Sequence, residues 1–310
     1  MALPHAGVSI EANARHRMSI TSSIKRFHRR ATASGSPFRF LRKGWLNLRH
    51  PGATWARARA ARPLVEAQEP WFQERTTELA ANGFVYGGDE IDAGLLAELD
   101  RQAMARVESP SDGRDLSKFA KEFIKEEDLR SDSIFVRFAL QPAVLKVACA
   151  YFGGRVPVLD DIQLLLSHGS QFTGRWQDSQ LWHRDYNDAR MLKFWVYLND
   201  VTKTEDGPFT YLPYPASRKV PNNFFPGRVS DDALQASGLA GQAKEILGER
   251  LRTFYIDTGR CYHLGSRLQE GRTRYAYLAT FVSHAPLYPS NNGMKVATGA
   301  SEIERLALTP

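Results

Sequence analysis

His183 and Asp185 are spaced so that they could bind a metal ion together. They stand two positions apart in the stretch SQLWHRDYND, just ahead of a strand-like run, so we predict that the stretch is extended. Residues i and i+2 of a strand project from the same face, which would direct an imidazole and a carboxylate at one point. A solvated loop pair is the plainer interpretation, because such triplets occur by chance. A metal site therefore needs a further ligand from elsewhere in the chain.

A distant histidine is the usual third ligand, and the sequence beyond Asp185 holds two, His263 and His284. His263 follows the predicted strand TFYID and a glycine turn, so we expect it at a strand edge. His284 follows the last predicted strand and is expected at the surface. Two histidines and one carboxylate on one face leave three coordination positions open, which is the arrangement of non-haem Fe(II) oxygenases.

Arg274 strengthens this interpretation, because it begins the predicted strand RYAYLATF shortly after His263. A buried arginine binds a carboxylate through two parallel hydrogen bonds. Iron oxygenases of this type require a dicarboxylate co-substrate beside the metal. Arg274 therefore favours this class over a jelly-roll metalloenzyme that uses no such co-substrate.

The surrounding sequence predicts a mainly β fold with flanking helices. We expect a helix that ends at Gly83, a short strand, a helix capped by Asp92 and an apolar helix that stops at 153–154. Five alternating runs rich in β-branched and aromatic residues follow, and 229–248 is predicted as a helical insertion. Short strands preceded by helices indicate a β-sandwich or jelly roll buttressed by helices. The five runs are VPVLDDIQLLLSHG, MLKFWVYLNDV, PFTYLPY, LRTFYIDTG and RYAYLATFVSH.

The second of these runs, MLKFWVYL, has two distinct faces. Lys193, Trp195 and Tyr197 share one face, and the apolar residues between them form the other. We expect one face to line the barrel interior and the other to pack on helices. Trp195 is then either an ordinary core residue or an aromatic wall of the site.

Several motifs, in the same order, resemble the phytanoyl-CoA dioxygenase family of Fe(II)/2-oxoglutarate enzymes. They are GFVY, LWHRDY, FWVYLNDVTKTEDGPFTYLPYPASRK and HLGSRLQEGRTRYAYLATF, and they span roughly 63–290. The resemblance implies a double-stranded β-helix core, also called jelly-roll or cupin-like. It also implies that Fe(II) is bound by His183, Asp185 and His263.

The same resemblance assigns the co-substrate site. Arg274 corresponds to the arginine that pairs with the distal carboxylate of 2-oxoglutarate, and Arg272 is the alternative if the register shifts by two. Trp195 falls where relatives place an aromatic residue near the co-substrate. The chain departs from the family at Gly265, where relatives often have a small polar residue, and at PYPASR, where they have PGSH.

The resemblance further implies an oxidoreductase that consumes O2 and 2-oxoglutarate, releases succinate and CO2, and hydroxylates a C–H bond. Related halogenases lack the carboxylate at the position of Asp185, so hydroxylation is the expected outcome. Desaturation and ring closure are the alternatives that stay open.

Charge is unevenly distributed along the 310 residues. Residues 1–62 hold 13 Lys and Arg and a single acid, for a net charge of +12, whereas the remainder carries −5. We therefore predict a basic, partly disordered arm over 1–62 and a dioxygenase domain over 63–310. Within that domain, 63–155 is expected to be helical and 156–290 to form the jelly-roll core.

The arm contains one amphipathic stretch, residues 37–50, in which apolar residues recur at helical spacing and basic residues point elsewhere. Such a basic helix can lie on an anionic membrane surface. Docking of the helix on the main body and a cleaved organellar presequence are the alternatives. Residues 50–63, HPGATWARARAARP, are interpreted as a linker. The apolar residues of the stretch are Phe38, Leu41, Trp45 and Leu48.

The sequence shows no apolar run of transmembrane length and no secretory leader, and its two cysteines lie far apart. These features favour a reducing compartment, so we expect a cytoplasmic protein that contacts the cytoplasmic face of a membrane peripherally.

Arg175, Trp176 and Arg184 cluster around the metal motif and could receive a negatively charged substrate; a solvated rim is the alternative. With the basic arm, they suggest a lipid-linked acidic sugar, such as the Kdo of a lipopolysaccharide precursor. A soluble hydroxylase of a diffusible metabolite or acyl-CoA is the first alternative. A nucleic-acid-binding protein on an inert cupin-like scaffold is the second. Nucleic acid is disfavoured because the basic arm lacks an aromatic stacking platform and lies outside the fold.

Overall fold

The computed structural model describes residues 37–67, 69–169, 176–221, 228–265, 267–290 and 293–309. The expectation for residues 1–36 lies outside this part of the chain. Six of the nine helices in the described part begin before residue 156, where the predicted jelly-roll core starts. The helices are α1 (Pro37–Arg49), α2 (Pro51–Glu66), α3 (Pro70–Asn82), α4 (Ala93–Val107), α5 (Ile134–Ala139), α6 (Pro142–Tyr151), α7 (Tyr214–Ser217), α8 (Asp231–Ala236) and α9 (Glu302–Leu308).

The strands form two antiparallel sheets. The larger sheet has the order β1-β8-β5-β10-β4-β3-β2, and the smaller sheet has the order β7-β6-β9. Residues of both sheets share one buried cluster, so the sheets pack face to face as in a jelly roll. The predicted fold class is confirmed. The strands are β1 (Phe84–Tyr86), β2 (Arg114–Ser117), β3 (Ala120–Glu122), β4 (Val158–His168), β5 (Met191–Tyr197), β6 (Phe209–Tyr211), β7 (Lys244–Ile246), β8 (Thr253–Asp257), β9 (His263–Leu264) and β10 (Thr273–Val282).

Strand β5 contributes to two hydrophobic cores, one on each face of the large sheet, because alternate residues of a strand face opposite sides of its sheet. Phe194 and Val196 belong to the core between the large sheet and the helices. Trp195 and Tyr197 belong to the core between the two sheets. The predicted division of this strand into a helix-facing and an interior face is confirmed.

Predicted helix boundaries agree with the structure where capping residues mark them. Gly83 ends α3 with φ of +80°, a left-handed conformation that glycine adopts at little cost. The carboxylate of Asp92 accepts a hydrogen bond from the Leu95 amide at 2.8 Å and begins α4. These signals are local, so the sequence alone reveals them.

The interpretation of residues 50–63 as a linker is wrong. Helix α2 continues to Glu66 and therefore runs through the predicted domain boundary at residue 63. Ala61 is fully buried, and the buried Arg57 guanidinium donates to the carbonyls of Val156, at 3.0 Å, and Thr309. Alternating alanine and arginine suggested exposure, but the acceptors of Arg57 are backbone oxygens about 100 or more positions away.

The insertion predicted as helical is only partly so. Helix α8 occupies its first third, and β7 then pairs with β6 along the small sheet. Strand β7 has three residues, of which only Ile246 is buried. A strand this short leaves no periodic pattern of apolar residues in the sequence. The hairpin of β2 and β3 was missed for the same reason.

Helix α1 contacts the body through its polar side. Lys43 is buried, lies 3.3 Å from Asp188 Oδ1, and donates to the carbonyls of His284 at 2.9 Å and Ala285 at 2.6 Å. Three residues of the apolar stripe face away from the body: Leu41 is 71% exposed, Trp45 55% and Leu48 80%. Within the described residues, none of the helices is both long enough and apolar enough to span a bilayer.

We expect Phe194→Ala to lower the free energy of unfolding by about 3–5 kcal/mol, because it removes a buried ring from the sheet–helix core. Urea denaturation monitored by circular dichroism measures the change. The matched control is Leu41→Ala, which should change stability by less than about 0.5 kcal/mol because the side chain is exposed. Equal losses in the two variants would contradict this description of the core.

Candidate metal centre

The structure brings His183, Asp185 and His263 together, with one potential ligand atom of each within 4.8 Å of the others. Asp185 Oδ1 lies 3.8 Å from His183 Nε2 and 3.9 Å from His263 Nε2. The two imidazole rings stand 4.3 Å apart between centroids. Residues 80 positions apart in the chain thus present two nitrogens and one oxygen to a common point.

Backbone pairing explains how distant residues meet. The amide of His183 donates to the carbonyl of His263, and the reverse bond has the same length, 2.9 Å. The amide of Asp185 donates to the carbonyl of Thr258, also at 2.9 Å. The stretch predicted to be extended forms no regular strand at His183, because this pairing is an isolated bridge in a loop before β5. The backbone is locally extended, so His183 and Asp185 still reach the same point.

Hydrogen bonds of the two imidazoles orient their ε nitrogens. His183 Nδ1 lies 2.8 Å from the Leu181 carbonyl, and His263 Nδ1 lies 3.1 Å from that of Cys261. A carbonyl only accepts, so each Nδ1 carries the proton and each Nε2 keeps a lone pair for a metal.

The ligand groups are also in the protonation states that a metal needs. Burial lowers the pKa of His263 to about 3 and lowers that of His183, so both imidazoles are neutral at pH 7. Burial acts to raise the pKa of Asp185, but Lys193 and the two imidazoles outweigh it and hold that pKa well below its usual range. The donor set of two neutral imidazoles and one carboxylate fits Fe(II) with positions left open.

Lys193 is a site residue that sequence reasoning missed. Its ammonium lies 2.7 Å from Asp185 Oδ2. The available signal was a lysine on the interior face of β5, two positions before Trp195. A charged residue on a face predicted to be buried requires a partner, and that requirement was not used.

A cavity of about 340 Å³ opens beside the metal centre. Both histidines, Lys193, Trp195 and Arg274 line it. Strands β10 and β4 place Arg274 directly opposite Ser167, which lines the same cavity.

Arg274 is buried, whereas its alternative Arg272 is not. The Arg274 guanidinium donates to the Gly207 carbonyl and lies 5.9 Å from the Trp195 ring centre. Arg272 is exposed and pairs with Asp206 at 3.4 Å. Gly265 is one of the positions at which the sequence departs from the family that it resembles. A Cβ there would lie 3.7 Å from Arg274, so the glycine leaves space beside the guanidinium.

Of the three residues predicted to receive the substrate, the two that the structure describes lie outside the lining of the cavity. Arg184 packs its guanidinium 4.8 Å from the Tyr262 ring centre, and Trp176 stacks with Arg267 at 4.8 Å. Neither of them lines the cavity, and Arg175 lies outside the described residues. Arg228, which sequence reasoning missed, does line it.

Comparisons with known proteins support the fold. The epimerase SnoN, solved with Fe3+, alpha-ketoglutarate and nogalamycin RO, has a TM-score of 0.51 and 16% identity over 77% of this chain and 95% of that chain. EctD from S. alaskensis in its apoform gives 0.51 and 16% over 76% and 85%. EctD with bound Fe gives 0.50 and 15% over 72% and 86%. No protein-family model and no curated protein matches the sequence. Fold and donor set together define a jelly-roll protein with a candidate metal centre.

We expect the protein to bind one equivalent of Co(II), a spectroscopic substitute for Fe(II), and Asp185→Ala to weaken binding by at least about 100-fold. Visible absorption during anaerobic titration measures the affinity. The control is Asp178→Asn, which changes another cavity carboxylate outside the cluster and should bind Co(II) normally. Unchanged affinity in Asp185→Ala would exclude this site.

The metal-free protein should lose stability as pH falls from 7.5 to 5.5. His263 stays neutral when folded, because its pKa is about 3, but it takes up a proton when unfolded near its ordinary pKa of about 6.5. The unfolded state therefore binds more protons, and acid favours unfolding by about 1.4 kcal/mol over this range from His263 alone. Urea denaturation at both pH values should show a pH effect smaller by this amount in His263→Gln. An identical pH effect would contradict the neutral, buried state of His263.

Proposed function

We propose that the protein is an Fe(II)/2-oxoglutarate-dependent dioxygenase that hydroxylates a C–H bond of its substrate. The observation that carries the proposal is that two members of the His183–Asp185–His263 cluster, the histidines, line the same cavity as the buried Arg274. The cluster would hold the iron, and bound iron would supply the chemistry that couples O2 reduction to oxidation of 2-oxoglutarate and substrate. The products would be the hydroxylated substrate, succinate and CO2.

Arg274 would bind the distal carboxylate of 2-oxoglutarate. Its planar guanidinium matches a carboxylate geometrically, and its burial excludes the water that would otherwise weaken the pair. The Gly207 carbonyl fixes one of its nitrogens in place. Trp195 would form the adjoining wall, and its Nε1 is buried without an acceptor among the described residues. A polar group of a bound ligand is one source of that acceptor.

We expect a weak visible absorption band that requires both Fe(II) and 2-oxoglutarate under anaerobic conditions. Arg274→Ala should weaken 2-oxoglutarate binding by at least about 10-fold while Fe(II) binding is retained, because the ion pair is lost and the ligand cluster is intact. Arg272→Ala is the matched control and should titrate like wild type. A normal titration in Arg274→Ala would contradict the assigned role, and the absence of any band would contradict the proposed activity.

One cation of the cavity supports an anionic substrate. Lys193 is paired with Asp185 and Arg274 is assigned to 2-oxoglutarate, so Arg228, which lies 3.7 Å from Asp178, is the lining cation that could meet the substrate. Opposite charge attracts a ligand and fixes its orientation. The substrate class that we propose is a lipid-linked acidic sugar, such as the Kdo of a lipopolysaccharide precursor.

A membrane-facing helix would bring the protein to such a substrate. Helix α1 exposes Leu41, Trp45 and Leu48 along one stripe and is held on the body by Lys43. Exposing three large apolar residues to water is unfavourable unless another apolar phase covers them. The net charge of +12 over residues 1–62 favours an anionic surface as that phase. We therefore propose peripheral binding through residues 37–50.

We expect the protein to float with anionic vesicles, and the double variant Trp45→Ser, Leu48→Ser to bind them at least about 10-fold more weakly. Flotation at low and high salt measures both contributions. The control is Leu247→Ser, Val296→Ser, which removes two apolar residues exposed elsewhere and should float normally. Equal flotation of the two double variants would contradict the membrane role of α1 and leave the dioxygenase proposal intact.

A further inference from the structure

The two oxygens of the Asp185 carboxylate have different neighbours, because Lys193 contacts one of them. Oδ1 faces the two imidazole Nε2 atoms, at 3.8 and 3.9 Å. Oδ2 faces the Lys193 ammonium, at 2.7 Å. One oxygen is therefore directed at the metal position and the other is held by a cation of the protein.

The different contacts of Oδ1 and Oδ2 matter because a carboxylate can bind a metal through one oxygen or through both. Two imidazoles and one carboxylate oxygen leave three of six octahedral positions open. Binding through both carboxylate oxygens would occupy one of those three. The proposed reaction requires two positions for 2-oxoglutarate and one for O2, so one-oxygen binding by Asp185 is a condition of the chemistry.

The sheet holds the ammonium where it can act. Lys193 lies in the middle of β5, paired with Ile256 of β8 on one side and Thr280 of β10 on the other. Its side chain is largely buried and has little freedom to leave. Asp161 of β4 pairs with Thr280 from the opposite side of β10. Burial raises the pKa of Asp161 to about 7. Asp161 is therefore a weaker partner for Lys193 near neutral pH than the ionised Asp185.

We propose that Lys193 is a positioning residue that holds Asp185 Oδ2, so that the carboxylate offers a bound metal only Oδ1 and three coordination positions stay open. This inference rests on the proposed function, since it assigns the metal to the His183–Asp185–His263 cluster. It predicts a change in the metal's own coordination shell, which is measurable without turnover.

The probe is Mn(II) alone, bound to the full-length protein, with water-proton relaxation reporting the number of exchangeable waters on the ion. The wild type should retain about three waters, and Lys193→Met should retain about two, because Asp185 then binds through both oxygens. 2-Oxoglutarate affinity of the Mn(II) complex should fall by at least about 10-fold in Lys193→Met. Lys193→Arg keeps the cation and should restore both values toward wild type.

Arg228→Met is the matched control, because it removes another cation from the same cavity at a residue that makes no ion pair with Asp185. It should leave the water count unchanged. If Lys193→Met unfolds, Lys193→Gln, which is shorter and uncharged, replaces it, with circular dichroism verifying the fold.

The outcomes separate the two proposals. Three waters in both wild type and Lys193→Met would overturn the positioning role, and a loss of 2-oxoglutarate affinity alone would instead make Lys193 a direct ligand of the co-substrate. Mn(II) binding that is unaffected by Asp185→Ala would place the metal elsewhere and overturn the proposed function itself.

Discussion

Two reciprocal backbone hydrogen bonds between His183 and His263 set the geometry on which the candidate site depends. They attach the loop before β5 to β9, the edge strand of the small sheet. Arg274 lies on β10 of the large sheet, so the distance between the candidate metal cluster and the guanidinium depends on how the two sheets pack. Aromatic packing fixes that distance: Trp195 of the large sheet contacts Phe209 of the small one at 5.2 Å between ring centres. The same core that stabilises the fold therefore sets the space for a co-substrate.

Buried charge explains why the cluster needs Lys193 before any metal binds. An ionised carboxylate removed from water is costly unless a cation or hydrogen bonds compensate it. The imidazoles lower the pKa of Asp185 only when they are protonated, and burial keeps both of them neutral at pH 7. Lys193 supplies the missing charge through one oxygen and leaves the other oxygen directed at the metal position. The contact that stabilises the buried carboxylate therefore also leaves one of its oxygens free to bind a metal.

The sequence predicts the fold and the metal cluster because their signals are local or strongly patterned. Strand alternation, caps such as Asp92 and the spacing of His183 and Asp185 can all be read within ten residues. What it does not reveal depends on contacts far along the chain. Arg57 falls in the predicted linker. Its burial depends on two distant acceptors, the carbonyl of Val156, just before β4, and that of Thr309 near the C-terminal end of the described residues. Likewise Arg184 lies between the candidate ligands His183 and Asp185 in the sequence, yet its side chain packs on the Tyr262 ring. Arg228 lines the cavity instead.

Helix α1 reverses the usual arrangement of an amphipathic helix, and this reversal bears on how substrate is reached. A helix that docks for stability alone would bury its apolar stripe and expose its lysine. Here Lys43 is buried against Asp188, which lies three residues after Asp185, and the apolar stripe is exposed. The polar attachment fixes the orientation of the stripe relative to the loop that carries the candidate ligands His183 and Asp185. A surface that covered the stripe would then hold the candidate site in one orientation, as the proposed action on a substrate anchored in that surface requires.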